Sequence, residues 1–400
     1  MKVLQINATY LNGSTGSIVR HLQECCQRSG IECHVAYSAS RLAESEVPNG
    51  YKMGNPLSNK LHALLCRING CQGYFSRLSS RRLLRHISEI KPDIIHLHNL
   101  HSNYINLPML LRYIAKNDIA TVVTLHDCWF FTGGCFHYTN AGCNRWTDRC
   151  GHCPKKLQDT PAYLFDRSSK ILRDRYRLFA AIPRLTVVGV SNWITEQSGQ
   201  SVFAYARRMT IHNGIDTNLF APTPSDFRQR LGLEGKYVVL GPASKWLDPV
   251  NSEVLATVSR GLPPDAVLLL FGATGQPANL PANVMTYGFT SNPRELAQLY
   301  TSADIFANCS REDSLSTVNL EAQACGLPVV SFDNTGFPDT VCPDSGILVE
   351  TGDAEAMLKA IVKLRAAGKT DPRPWILDNF DRDGKYNEYI DLFRQIESKA

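Results

Sequence analysis

Ile305-Phe306-Ala307, followed by Arg311-Glu312-Asp313-Ser314-Leu315-Ser316-Thr317-Val318-Asn319-Leu320-Glu321 and then Ala322-Gln323-Ala324-Cys325-Gly326-Leu327-Pro328-Val329-Val330, is the stretch from which the rest of the chain is read. A short apolar run leads through an acidic loop into a helical pattern over Thr317–Cys325. Gly326 ends that helix, since glycine adopts the left-handed conformation of a helix C-terminus at little cost. Val329–Phe332 then reads as the next strand. Strand, helix and strand in this order make a parallel crossover unit.

The same alternation continues in both directions. Further strands are predicted at Tyr237–Gly241, Val267–Phe271, Val284–Tyr287 and Ile347–Val349, with helices at Arg294–Ser302 and Ala354–Ala367. The first half repeats the pattern, with strands at Val3–Ile6, Cys33–Tyr37, Ile94–Leu97, Thr121–Leu125 and Leu185–Val190. Helices there are predicted at Ile18–Gln27, Arg81–Ile90 and Leu107–Lys116. Near-continuous β-branched runs suit strands covered on both faces of a parallel sheet. The expected fold class is α/β: two doubly wound Rossmann-like domains facing across a cleft. The expected domains are 1–207 and 208–383, jointed near Arg207–Arg208. The C-terminal helix of 384–400, with its amphipathic stretch Tyr386–Glu397, packs back on the first domain. A chain of 400 residues is long enough for two cores.

Hydrophobic residues at 44% and charged residues at 20% exclude a disordered chain, and a formal net charge of +5 permits an anionic partner without requiring one. The opening MKVLQIN runs straight into polar turn residues, without the apolar stretch of a signal peptide. No window approaches the roughly 18 to 20 apolar residues of a membrane span. The expectation is a cytoplasmic protein whose 13 cysteines stay reduced.

In such sheets ligands sit beyond the carboxyl ends of the strands. Three clusters lie there. Asn12-Gly13-Ser14-Thr15-Gly16-Ser17 follows the first strand and opens the first helix; its glycines let the backbone approach an anion held by the helix amides, or else form a tight turn capped by Ser17. The 311–321 stretch holds Glu312 and Asp313 before a helix and Glu321 one turn inside it, which suits sugar and ribose hydroxyls, or else a capped helix with favourable charge. Cys135, Cys143, Cys150 and Cys153, with a Cys-x-x-Cys at the end, read as a structural zinc site, with free thiols or a redox pair as the alternatives.

These residues carry a resemblance. The stretch from Asp313 through Glu321 to Gly326-Leu327-Pro328-Val329 resembles the signature of the retaining GT-B glycosyltransferases of family 4. Asn213-Gly214-Ile215-Asp216 with Phe220, Pro92–His98, Thr124–Asp127, Tyr287–Phe289, Ala303–Phe306 and Thr335-Gly336 with Pro338-Asp339 are similar to further family motifs, in the family's order. The Cys-rich insert after His126-Asp127 is similar to that of bacterial exopolysaccharide and O-antigen enzymes.

The resemblance implies a sugar transferred from a nucleotide-diphosphate donor to a glycan or lipid-linked acceptor, with no cofactor required. By it, the second domain binds the donor and the first the acceptor. Glu321 binds the ribose, Asp313 or Glu312 contacts donor-sugar hydroxyls, and His126 sits by the reacting sugar. The Gly13–Gly16 loop approaches the diphosphate. Ser314, Leu315, Ser316, Thr317 and Asn213 complete the donor contacts. Lys245 faces the leaving diphosphate, but Asp248-Pro249-Val250-Asn251 stands where relatives carry a second base followed by glycine. That departure favours a rival reading as a non-catalytic nucleotide-sugar binder; a sugar-nucleotide epimerase shares the architecture. Arg77, Arg81, Arg82 and Arg85, with Lys155, Lys156, Arg167, Lys170 and Arg173, read as solvated faces or, alternatively, as a peripheral contact with anionic lipid at the inner face of the plasma membrane. No nucleic-acid module is expected.

Overall fold

A computed structural model describes residues 1–275, 279–368 and 370–398. The chain divides into two compact units, Met1–His212 with Lys385–Ala400, and Asn213–Gly384.

The first unit is built on a seven-stranded sheet. Its strands are β1 (Lys2–Ile6), β2 (Glu32–Tyr37), β3 (Gly50–Lys52), β4 (Ile94–Leu97), β5 (Ala120–Leu125), β6 (Leu185–Gly189) and β7 (Arg207–Thr210). They lie in the order β3-β2-β1-β4-β5-β6-β7, and every pairing is parallel. Its helices are α1 (Gly13–Arg28), α2 (Pro56–Asn69), α3 (Arg77–Ile90), α4 (Leu107–Lys116), α5 (Ser168–Ala180) and α6 (Asn192–Ser198). β4 and β5 are buried throughout, as the apolar runs predicted.

The second unit repeats the plan with β8 (Tyr237–Pro242), β9 (Ala266–Ala273), β10 (Val284–Gly288), β11 (Ile305–Asn308), β12 (Val329–Phe332) and β13 (Ile347–Val349). The order is β10-β9-β8-β11-β12-β13, again all parallel. That is the doubly wound order, in which the chain starts at the centre, winds to one edge and returns to fill the other. Besides a single helical turn at Phe227–Arg230, its helices are α7 (Ala243–Trp246), α8 (Ser252–Gly261), α9 (Pro293–Thr301), α10 (Thr317–Ala324), α11 (Ala354–Ala367) and α12 (Arg373–Phe380). One apolar cluster of α8, α11 and the sheet, with Trp246, Val258, Leu268 and Met357 at its centre, forms the core.

The division between the units falls after His212 rather than at Arg207–Arg208. Arg207–Thr210 is β7, paired in register with β6 from Thr186 to Gly189, and so belongs to the first sheet. The last helix, α13 (Arg382–Glu397), contributes Tyr386, Tyr389, Ile390, Leu392 and Phe393 to the first unit's core beside Leu22, Val122 and Val188.

Candidate active site

At the carboxyl end of the first sheet the central strands each deliver a polar residue. Gln5 lies within β1, His96 within β4, His98 just past β4 and His126 just past β5. Gln5 donates its amide NH2 to the Val19 carbonyl at 3.1 Å, which leaves its oxygen facing His98 Nε2 at 3.2 Å. His98 Nε2–H therefore donates to Gln5. Burial drives the His98 imidazole well below its ordinary pKa, so its Nδ1 keeps a lone pair. That lone pair faces His126 Nε2 at 3.0 Å. The chain of bonds puts the His126 proton on Nε2 and leaves Nδ1 as an acceptor, because the partner of one ring nitrogen decides the state of the other. Burial also holds His126 down, to about 4.

A second pair lies beside it. His101 Nε2 meets Asp127 Oδ2 at 3.1 Å, and the Trp129 amide donates to Asp127 Oδ1 at 2.8 Å. Burial would raise the Asp127 carboxyl, but His101 and that amide hold it below the usual value. The loop beyond is anchored by buried Arg175, which donates to the carbonyls of Trp129 and Thr132 and covers the Trp129 ring at 4.1 Å.

Ser17 does not cap α1; the helix starts four residues earlier, at Gly13, with Asn12 preceding it. Gly13 has a φ of +67°, open to glycine and strained for other residues. Gly16 is required for a different reason. A Cβ there would lie 2.8 Å from Thr9 Oγ1 and 3.1 Å from the Leu11 nitrogen. Gly13 and Ser14 are exposed at the start of α1.

In the second unit, Lys245 closes α7 beyond β8 and is exposed. The next segment has no base; Asp248 accepts from the Val250 amide at 3.0 Å and starts a turn of 3-10 helix. A cation nevertheless reaches it. Arg311, from the loop after the neighbouring strand β11, donates from Nε to Asn251 Oδ1 at 2.8 Å and from Nη2 to the Val250 carbonyl at 3.2 Å. Asn251 in turn donates to the carbonyls of Lys245 and Cys309, at 3.0 and 2.9 Å. Nothing in the spacing of residues 245 to 311 signals this pairing; it arises because β8 and β11 are adjacent.

The acidic loop is held from the turn after β12. Asp313 takes a hydrogen bond on its carboxylate from the Leu315 amide at 3.3 Å, while its own backbone amide donates to Thr335 Oγ1 and its carbonyl accepts from Gly336. Gly336 must be glycine, because a Cβ would fall 1.9 Å from the Ser314 carbonyl oxygen. Glu312 is half-buried beside it, Leu315 is buried, and Ser314 and Ser316 are buried just before α10, which Thr317 opens. Glu321 lies on α10, where Tyr300 OH donates to its Oε2 at 3.1 Å. Burial raises the Glu321 carboxyl to about 7 against the lowering effect of Tyr300. The fold thus brings Lys245, Glu312, Asp313 and Glu321 to the carboxyl ends of two adjacent strands. Asn213 is buried at the start of the unit, apart from those residues in the sequence of hydrogen bonds that ties the acidic loop together.

Cys135, Cys143, Cys150 and Cys153 are electrostatic neighbours; burial first, and then the adjoining thiols, push Cys135 up to about 12 and Cys150 to about 11. Among the described residues no group of three or more His, Cys, Asp or Glu side chains could hold a metal ion. None of the four is in a disulfide, and each is partly exposed. Their loop is also tied by hydrogen bonds: Arg145 donates to the Gly151 and His152 carbonyls at 2.7 and 2.9 Å, and the Cys153 amide to Asp166 at 2.8 Å.

Comparison with known proteins agrees with these two units. The pattern described as Glycosyltransferase Family 4 matches residues 15–219, more than half of the chain, and Glycosyl transferases group 1 matches residues 265–373. A relative in Escherichia coli (strain K12), the putative colanic acid biosynthesis glycosyl transferase WcaC, is 25% identical over 346 residues, covering 83% of each chain. The D-inositol 3-phosphate glycosyltransferase of Mycobacteroides abscessus is 30% identical over 40% of this chain and 39% of its own. Among solved structures, sucrose-phosphate synthase from Thermosynechococcus elongatus superposes over the whole of both chains with a TM-score of 0.70 at 17% identity. Anabaena Alr3699/HepE in complex with UDP and glucose does so over 98% of this chain and 99% of its own, with a TM-score of 0.62 at 17% identity. Both structures share the fold of two Rossmann-like units. This chain belongs to glycosyltransferase family 4 and is a glycosyltransferase of the GT-B fold.

Proposed function

We propose that the chain transfers a hexose from a nucleoside-diphosphate donor to a glycan or lipid-linked acceptor, with retention at the anomeric carbon, in the biosynthesis of a surface polysaccharide. The observation that carries this reading is the convergence, at the ends of β8 and β11, of an exposed Lys245 with the half-buried Glu312, Asp313 and Glu321. A carboxylate on α10 accepts the two ribose hydroxyls. Glu312 or Asp313 takes hydroxyls of the donor sugar. Ser314 to Thr317 and Asn213 line the donor, and amides at Gly13 and Gly16 meet its phosphates. The likeness to WcaC, named for colanic acid biosynthesis, supports the polysaccharide assignment, and the UDP and glucose held by the Anabaena protein support the donor class.

The anomeric carbon loses its bond to the diphosphate oxygen and gains one to the acceptor hydroxyl, whose proton leaves with the diphosphate. Positive charge builds on the sugar and negative charge on the phosphate. Fixed cations aimed at the phosphate are then the main lever on the rate. His126, held as an Nδ1 acceptor, orients a sugar hydroxyl by accepting its proton in a hydrogen bond.

No helix among the described residues is long and apolar enough to cross a membrane. The proposed location is the cytoplasm, with peripheral contact at the inner face of the plasma membrane, where lipid-linked acceptors reside. A second reading, as a nucleotide-sugar binder without turnover, draws on the absence of a base in Asp248–Asn251. Nucleoside-diphosphate release, measured across a panel of sugar nucleotides with and without a lipid-linked glycan extract, separates the readings. Release that depends on the extract is expected. Donor conversion without extract would indicate an epimerase. A nucleotide-dependent thermal shift without donor consumption would indicate a binder.

A further inference from the structure

The surface of the first unit carries a helix that is apolar on the wrong side. On α2, His62 and Cys66 are buried, and they pack the helix onto the unit. Leu57, Leu61, Leu64 and Ile68 lie on the opposite side and are between 43% and 77% exposed. At 3.6 residues per turn these four fall within about 60° of one another, so they make one continuous stripe. Lys60 and Arg67 flank the stripe on one edge. Single exposed leucines are ordinary, but a contiguous apolar patch rimmed by polar groups marks an interaction surface.

The patch continues onto the Cys-rich insert. The Tyr163 amide donates to the Arg67 carbonyl at 2.7 Å, and the Phe165 carbonyl oxygen lies 2.2 Å from where a Cβ on Gly70 would be, so this segment runs against the end of α2. Leu157, Tyr163, Leu164 and Phe165 are all exposed there, the last with the Arg167 guanidinium 5.2 Å from its ring centre. The second unit is different: its exposed large apolar residues, Val250, Phe289, Val362 and Leu377, are scattered along the chain.

The charge around the stripe is of one sign. From Met53 to Ser88 there is no acidic residue, and six lysines and arginines. α3 begins beside α2, since His62 Nδ1 meets Ser76 Oγ at 2.7 Å. It presents exposed Leu78, Arg81, Arg82 and Arg85 at i, i+3, i+4 and i+7. None of these arginines has an acidic partner within 4.0 Å among the described residues. An apolar stripe that inserts among acyl chains, bordered by long cationic side chains that stay at the headgroups, fits an anionic lipid surface. A soluble protein partner would need acidic groups spread over the same large cationic field.

We propose that α2, the first turns of α3 and the 157–165 segment form a membrane-docking face for anionic phospholipid. It rests on the functional reading above only for its purpose. A cavity of about 420 Å³ beside α2 is lined by Ala63, Cys66, Arg67, Phe136, Asp159 and His101, whose Nε2 meets Asp127. A lipid-linked acceptor would then be held at the surface from which it is drawn.

Co-sedimentation with phosphatidylglycerol-containing vesicles and with pure phosphatidylcholine vesicles tests the proposal. The wild-type protein binds the anionic vesicles, and binding weakens as salt rises. L61E/L64E, on exposed positions, lowers the partition at least tenfold while the melting temperature and any nucleotide-dependent shift stay as in the wild type. R81E/R82E lowers it as well and removes most of the salt dependence. Wild-type protein that ignores anionic vesicles at low salt overturns the proposal, as do variants that bind like the wild type. A dimer in sedimentation velocity that L61E/L64E dissociates, without vesicle binding, would assign the face to a second copy of the chain. These outcomes are independent of whether any donor is turned over.

Discussion

Around the carboxyl ends of β4 and β5 of the first unit, polar side chains, all buried but the half-buried His126, are bonded to one another: Gln5 to His98, His98 to His126, His96 to Thr124 and Thr124 to Tyr389. Beyond β8 and β11 of the second unit a buried set, Asn308 to Ser316 and Asn319 and Asn319 to Thr340, braces the start of α10, while Lys245 stands exposed. The difference teaches what each arrangement is suited for. Burial lowers His96, His98 and His126, in His126 against the opposing pull of Asp127, leaving neutral groups in a fixed orientation. An exposed lysine side chain can follow a charged ligand. On the proposed function, the first unit orients and the second grips charge.

The comparison breaks most visibly at Glu321. Glu321→Ala is expected to abolish the nucleotide-dependent rise in melting temperature and to leave the apo protein close to its original melt; an unaltered shift would remove Glu321 from the site. Glu321 also predicts a pH effect. Its carboxyl sits near 7 when folded, above its ordinary 4.5, because burial disfavours the charge. The folded state therefore holds its proton more tightly than the unfolded state. Its contribution to stability is fully present below about 4.5 and is lost as pH rises through about 7. Nucleotide binding requires the charged acceptor and should move the other way, tightening between about pH 6 and 8. Titration calorimetry at the two pH values checks this.

Next in size is the cation pair. Lys245→Ala should lower turnover roughly 100- to 1000-fold, about 3 to 4 kcal/mol, if it takes up phosphate charge in the transition state. Arg311→Ala should cost less, about tenfold, because Nε and Nη2 already serve Asn251 and Val250. If the double variant loses no more than Lys245→Ala alone, Arg311 only braces the loop.

In the first unit the effects should be smaller. His98→Leu removes the acceptor that keeps the His126 proton on Nε2, so turnover should fall about tenfold, the worth of one hydrogen bond of about 1 to 1.5 kcal/mol. Nitrogen-15 imidazole spectra should show His126 changing tautomer, a signature that simple loosening of the core would not give. Smallest is Gly13→Ala, which forces an alanine to a φ of +67° and should lower stability by about 1 kcal/mol by chemical denaturation.

Most of the framework is readable in residue order. Runs such as Ile94–Leu97 and Val329–Phe332 appear as fully buried strands because a strand covered on both faces has no polar side to interrupt it. β7 escapes such a reading for the same reason inverted. Arg207-Arg208-Met209-Thr210 lies at the sheet edge, half in solvent, so its sequence carries no apolar run. α2 is equally hard to see, since its apolar residues serve two opposite faces and blur the single stripe expected of a surface helix. The motif residues at 311–321 are legible from spacing, whereas Arg311 as a support for residues 250 and 251 is not, since those partners lie 60 and 61 positions away.

Local order along the chain determined the strands, the helices and the turn glycines, because backbone preference and side-chain periodicity act over a few residues. It also marked Glu321, Lys245 and His126 as the residues to watch. Sheet order decided the rest. Placing β8 beside β11 brought Arg311 to the segment that lacks its own base, and placing β1 beside β4 and β4 beside β5 joined Gln5, His98 and His126. Hydrogen bonds reach about 3 Å, so which groups share a proton or a charge is settled only when distant strands become neighbours.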